Sequence, residues 1–251
     1  MAGFALRGAF ALCLLILSCS PPPNSVAETA ALPAGLPPIT RAWTPADYSQ
    51  AAAVLSQLPA AQLPHSNNGG DAARLVDRLT SSDILAPCMD TSLAVQDRIQ
   101  QCLPIGDASR ALLPHYMSAA NQDRGLADDA LRIQGFILQY ADANAGLARE
   151  FMASIPRSDP SYDTRVSGLN QMRLGLAQML RAGIISLQAP RVFTPATRTV
   201  FAQHLAQAYL DVAPDLPTET REQLTETLTQ IAATDENPNV REAIARALRL
   251  H

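Results

Sequence analysis

The sequence predicts an all-α fold, an irregular array of antiparallel helices, and three observations carry that prediction. Ala and Leu number 43 and 33 against 21 for Val and Ile together; the first two lose little freedom in a helix, whereas branching at Cβ crowds it. Aromatic residues amount to only 5% of the chain. No segment alternates apolar and polar residues for long enough to make a strand.

In chain order, the first element is a targeting segment. Residues 1–18 carry one positive residue, Arg7, and then an apolar run from Gly8 to Leu17. That run is far shorter than the about 20 residues a membrane-spanning helix needs, so it reads as a signal peptide. Its end, Ile16-Leu17-Ser18-Cys19, resembles the lipobox of bacterial lipoprotein precursors, with Leu17 the less usual choice at its position. The resemblance implies that Cys19 is acylated and becomes the mature N-terminus, so that the chain meets a membrane through a lipid anchor. Ser20, where Asp would imply retention at the inner membrane, implies the outer membrane, with the body facing the periplasm. Ordinary cleavage after Ser25-Val26-Ala27 would instead release a soluble periplasmic protein. Residues 19–42 are rich in proline and lack a helical period, and they read as an extended tether.

Under either cleavage Cys88 and Cys102 remain as one pair, which in an exported chain suggests a disulfide. Closing that loop restricts the unfolded chain by about 3 kcal/mol. Neither cysteine has a second Cys or a His at ligand spacing, and no Cys-x-x-Cys arrangement points to redox chemistry.

The helical domain is expected over 43–251. A capping side chain followed by Pro marks three helix starts, Thr44-Pro45, Thr194-Pro195 and Asn237-Pro238. The first helix runs from Pro45 to Pro59, and a second, short one follows the Asn67-Asn68-Gly69-Gly70 turn. The stretch 81–106 contains both cysteines, Pro87 and Pro104, and is expected as short helical pieces stapled by the disulfide. Helices over 108–120, 126–140 and 145–155 come next, then a loop near 156–162 that could divide two subdomains. The longest helix, 164–187, places Val166, Leu169, Met172, Leu176, Leu180, Ile184 and Leu187 on one side. It also carries Gly168, Gly175 and Ala182 at intervals of seven, a stripe expected either to admit a closely packed neighbour or to face an apolar ligand. Helices over 195–212, 218–232 and 238–250 complete the chain. The last pair, with the turn Asp235-Glu236-Asn237-Pro238 and the start Val240-Arg241, resembles a HEAT-type repeat, which implies an interaction surface and no reaction.

Chemistry is mostly excluded. The chain has no Lys, so a P-loop, a Schiff-base enzyme, a protein kinase and a Ser-x-x-Lys acyl enzyme are each missing an essential residue. Net charge is -4 with no basic stripe, which argues against nucleic acid. No catalytic, cofactor-binding or metal-binding set announces itself, and His65, His115, His204 and His251 stand far apart. The nearest approach to an acid–base constellation is His115 and Tyr116 with Asp123, Asp128 and Asp129, although Asp128 with Arg132 is more simply an exposed pair one turn apart. Glu242 and Arg246 form another such pair, and His204 borders an apolar stripe. The resulting expectation is a lipid-anchored binding or scaffold module that engages another envelope protein through a groove between helices. The alternatives are a periplasmic hydrolase-like enzyme using Asp and His residues, or a carrier of apolar ligands.

Overall fold

The computed structural model describes residues 32–189 and 192–250, and among them every regular element is helical. Nine α-helices run α1 Pro45–Leu55, α2 Gly70–Leu79, α3 Ala86–Met89, α4 Val95–Ala120, α5 Ala127–Ala153, α6 Tyr162–Leu187, α7 Pro195–Val212, α8 Thr218–Thr234 and α9 Pro238–Leu250. The signal segment 1–18 and Cys19 lie outside the described residues.

Part of the expected tether belongs to the body. Trp43 is buried and its indole donates to the Pro38 carbonyl at 3.0 Å, Gln50 Nε2 donates to Gly35 O at 2.7 Å, and Arg78 Nε donates to Ile39 O at 3.0 Å. Leu32, Leu36 and Ile39 pack on the N-terminal core. Residues 32–42 are proline-rich but also apolar, and that apolar surface gains more by covering the core than by staying in water.

α1 starts as its sequence dictates. Thr44 Oγ1 accepts from Asp47 N at 3.2 Å while Asp47 accepts from Thr44 N at 2.8 Å, a capping box, and Arg41 holds the same carboxylate at 2.6 Å. The guanidinium keeps the Asp47 carboxyl well below its usual range. α1 ends at Leu55, one turn before the expected stop, because Gln57 N and Leu58 N tighten onto Val54 O and Leu55 O.

Two expected breaks are absent. α4 continues through Pro104 and Pro114, where the sequence predicts an irregular stretch up to 106. Both prolines are on the exposed face, as are Gln100 and Arg110, the residues whose carbonyls lose a hydrogen bond, so water can satisfy them. The opposite face, Cys102, Ile105, Ser109, Leu112, Tyr116 and Ala119, buries without interruption. The short pieces expected upstream are present: α3 and a 3₁₀ turn at Ser82–Leu85, joined to α4 by a Cys88–Cys102 disulfide with Cα atoms 5.7 Å apart.

α5 is likewise one helix of 27 residues, not two, because Ala141, Ala145 and Leu147 carry its buried face past Tyr140. It is the axis of the molecule. One set of its side chains, Ile133, Phe136 and Tyr140, joins α1, α2 and α4 in a core around Tyr48, Leu75, Leu112 and Tyr116. Another set, Leu131, Leu138 and Ala145, joins α6 to α9 in a core around Leu180, Phe201, Leu205, Leu224 and Ile244. The core is therefore divided along α5, and the loop near 156–162 merely connects α5 to α6. α8 and α9 pack on each other, and α9 packs on α7.

Candidate functional site

The apolar stripe of α6 is continuous in sequence but only half used in packing. Buried side chains of α6 begin at Leu176; in the preceding turns Val166, Leu169 and Met172 are only half-buried. Between this part of α6, the end of α5 and the start of α4 lies an open groove of about 320 Å³. Ile99, Leu103, Leu147, Phe151, Leu169 and Met172 line it, and Leu103 is 51% exposed on its rim.

Arg165 gives the groove its one described cationic group. Its guanidinium carbon lies 5.2 Å from the Phe151 ring centroid, and its Nε donates to Ser161 Oγ at 2.7 Å. Arg98, the neighbour of Ile99 in the chain, is already paired with Glu150.

The small-residue stripe does not do what its spacing suggests. A Cβ on Gly168 or Gly175 would meet nothing within 4 Å, and Ala182 is exposed. The close approach falls instead on Gly183, outside the stripe, where a Cβ would stand 3.0 Å from Leu205 Cδ1 of α7. Gly168 is an exposed residue of the groove lining, so of the three small residues it alone borders the space where a ligand could lie.

The acid and histidine residues come near one another in sequence but are spent on separate contacts. His115 Nε2 donates to Leu58 O at 2.9 Å and Tyr116 Oη to Pro64 O at 3.0 Å. Asp123 accepts from Gly125 N at 2.8 Å, capping a 3₁₀ turn. The expected Asp128–Arg132 pair does not form. Asp128 accepts instead from Thr194 N at 2.8 Å, fastening the start of α7, and Arg132 reaches across to Asp77 at 2.5 Å. Asp129 is fully buried and accepts from Ser66 N at 2.7 Å and Ser66 Oγ at 2.6 Å; burial raises its pKa and the Ser66 donors oppose that rise. Together these contacts hold the 58–68 segment and the α7 start against α4 and α5. Glu242 and Arg246 do pair, at 2.8 Å on the surface of α9. His204 is half-buried over Gly135, and burial lowers its pKa; His251 lies outside the described residues. Among the described residues no group of three His, Cys, Asp or Glu side chains could hold a metal.

A carboxyl pair that the sequence did not suggest lies between α5 and α7. Asp142 is pushed up to about 6 by burial, then by the charge of Asp211 and a hydrogen bond to it, while Arg149 opposes the rise. Gln207 donates to Asp211, and Arg149 donates to Asp211 O at 2.7 Å and to Asp215 at 2.6 Å. The folded chain thus keeps a proton that the unfolded chain, with a carboxyl pKa of about 3.9, has already released. Stability from this contact is full at acid pH and declines as pH rises through about 4 to 6. Asp142→Asn should flatten that decline and raise stability near neutral pH by about 1 kcal/mol, a figure discounted for the solvent that screens a half-exposed pair. Urea titrations of both proteins at acid and neutral pH measure it; parallel pH profiles would refute the shared proton.

Comparison with known proteins adds no relative: the chain matches no protein-family model, no curated protein and no solved structure. Among the described residues no helix is long and apolar enough to cross a membrane.

Proposed function

We propose that this chain is a lipid-anchored binding protein of the bacterial outer membrane, with its helical body facing the periplasm and engaging another envelope component through the groove between α4, α5 and α6. The observation that carries this reading is the partly covered apolar face at the start of α6, where the half-buried Leu169 and Met172 stand across from Phe151 and Leu103 without a helix between them. A monomeric fold gains by covering apolar surface, so a concave, almost wholly apolar strip left open between three helices, with Arg165 and Asn144 its only polar side chains, supports an interaction site there. The lipobox-like Ile16-Leu17-Ser18-Cys19 supports the address, the Cys88–Cys102 disulfide fits an oxidising compartment, and the HEAT-like character of α8 and α9 fits a binding role. An Asp/His hydrolase has less support, because His115 and the nearby acids are each engaged with backbone or with Ser66.

Two measurements test the reading. Mass spectrometry of the mature N-terminus should find acylated Cys19; a mature chain beginning at Glu28 would make the protein soluble and periplasmic instead. With no Lys in the chain, amine-directed crosslinkers have at most the N-terminus to attack, so a photo-reactive residue at position 169 is the better probe. In intact cells it should crosslink to an envelope component, while the same residue at exposed position 178 on α6 should not. Equal labelling from the two positions would remove the groove from the proposal.

A further inference from the structure

We infer that the α4–α5–α6 groove holds the hydrocarbon chain of a fatty-acid carboxylate, with Arg165 at its edge receiving the carboxylate; this rests on the reading of the groove as the binding surface. Size selects the class of occupant. The groove holds about 320 Å³, so a partner helix about 10 Å across would seat only one face in it. A single extended chain is narrow enough. Pockets for small molecules begin at about this volume, and they combine an apolar lining with a few placed polar groups.

Charge selects the head. Arg165 is oriented by two contacts that leave its terminal nitrogens free: stacking on Phe151 and the Nε donation to Ser161. Among the described residues no ion pair includes Arg165; Asp159 feels its charge from the adjoining loop without pairing. With Nε engaged by Ser161, the planar guanidinium keeps its terminal Nη1–Nη2 edge for a carboxylate, and the hydrogen bonds so formed are strengthened by charge on both sides. The remaining lining is almost entirely hydrocarbon, with Asn144 the other polar side chain, and it offers a charged head no competing place. Gly168, one turn beyond Arg165, is an exposed lining residue with open space over its Cα, so a large apolar side chain there has room to lie across the groove.

The test uses the purified full chain and displacement of dansyl-undecanoate by saturated fatty acids from octanoate to palmitate. Affinity should rise about four-fold per added methylene until the groove is full and then level off. Gly168→Leu, which replaces a helical glycine by a better helix former over empty space, should melt no lower than the parent and lose at least about ten-fold in laurate affinity. Arg165→Gln should weaken laurate about ten-fold and leave methyl laurate unchanged. Affinity independent of chain length, unchanged binding by Gly168→Leu, or equal loss of acid and ester would each overturn the inference. If position 169 still crosslinks to an envelope protein while laurate displaces nothing, the ligand class is wrong and the binding surface stands; if neither occurs, both fall.

Discussion

Asp235→Ala is expected to lower the stability of the folded chain by about 3–5 kcal/mol, the cost of leaving a buried guanidinium without its counter-charge. Arg198 on α7 is 2% exposed, and its Nη2 donates to Asp235 at 2.6 Å and to Leu187 O, in the last turn of α6, at 2.9 Å. Asp235 in turn accepts from Asn237 N at 2.8 Å, and its carbonyl accepts from Arg241 at 2.6 Å. Asn237 closes the set by donating to Pro195 O and Thr199 Oγ1, both at 3.1 Å. One ion pair therefore joins the end of α6, the first turn of α7 and the turn between α8 and α9. Asp235→Asn retains an acceptor but not the charge and should cost less, about 1–3 kcal/mol. Adding Arg198→Met to Asp235→Ala should recover part of the loss, because the orphaned charge goes with it. Urea denaturation of the three variants measures this; a loss below about 0.5 kcal/mol for Asp235→Ala would mean that the pair contributes nothing.

Removing the disulfide should have the next largest effect. Cys88→Ala with Cys102→Ala is expected to cost about 3 kcal/mol, chiefly by freeing the unfolded chain across a separation of 14 residues. The short α3 and its preceding 3₁₀ turn bury Ile84, Leu85 and Cys88, too little to be held by packing alone. The double variant should unfold at lower urea with a steeper dependence, since its denatured state is more expanded. A reducing agent should bring the parent to the same midpoint and leave the variant unmoved. A parent insensitive to reduction would show that the cross-link does not contribute.

Helix starts were legible because their signals are local. Thr44-Pro45 and Thr194-Pro195 place a capping hydroxyl and a preset φ at adjacent positions, and α1 and α7 begin at those prolines; α9 begins at Pro238 after Asn237. Helix interruptions were less legible. Pro104 removes a hydrogen bond and crowds the Gln100 carbonyl, a cost the helix carries where that residue faces water, and the exposure of Gln100 depends on where α1 and α5 lie. The Asp128–Arg132 pair failed for a similar reason, since the α7 start and Asp77 arrive from elsewhere in the chain and compete for each partner. The groove left half a signal, the unbroken apolar stripe of α6, with nothing in sequence to say that its first turns would stay uncovered. The Asp142–Asp211 pair left none, being two ordinary acids on different helices.

The all-α class, the disulfide partners, the principal helix starts and the absence of lysine chemistry are legible in the amino acids alone, because each depends on residue type or on near neighbours. That α4 and α5 run unbroken, that α5 serves two cores, that Gly183 and not the Gly168 stripe meets α7, and where a groove remains follow from how the helices pack. Those features depend on which faces of distant helices exclude water together, and apolar burial is non-directional. A stripe of leucines therefore states that it will be covered without stating by what, or how far along its length.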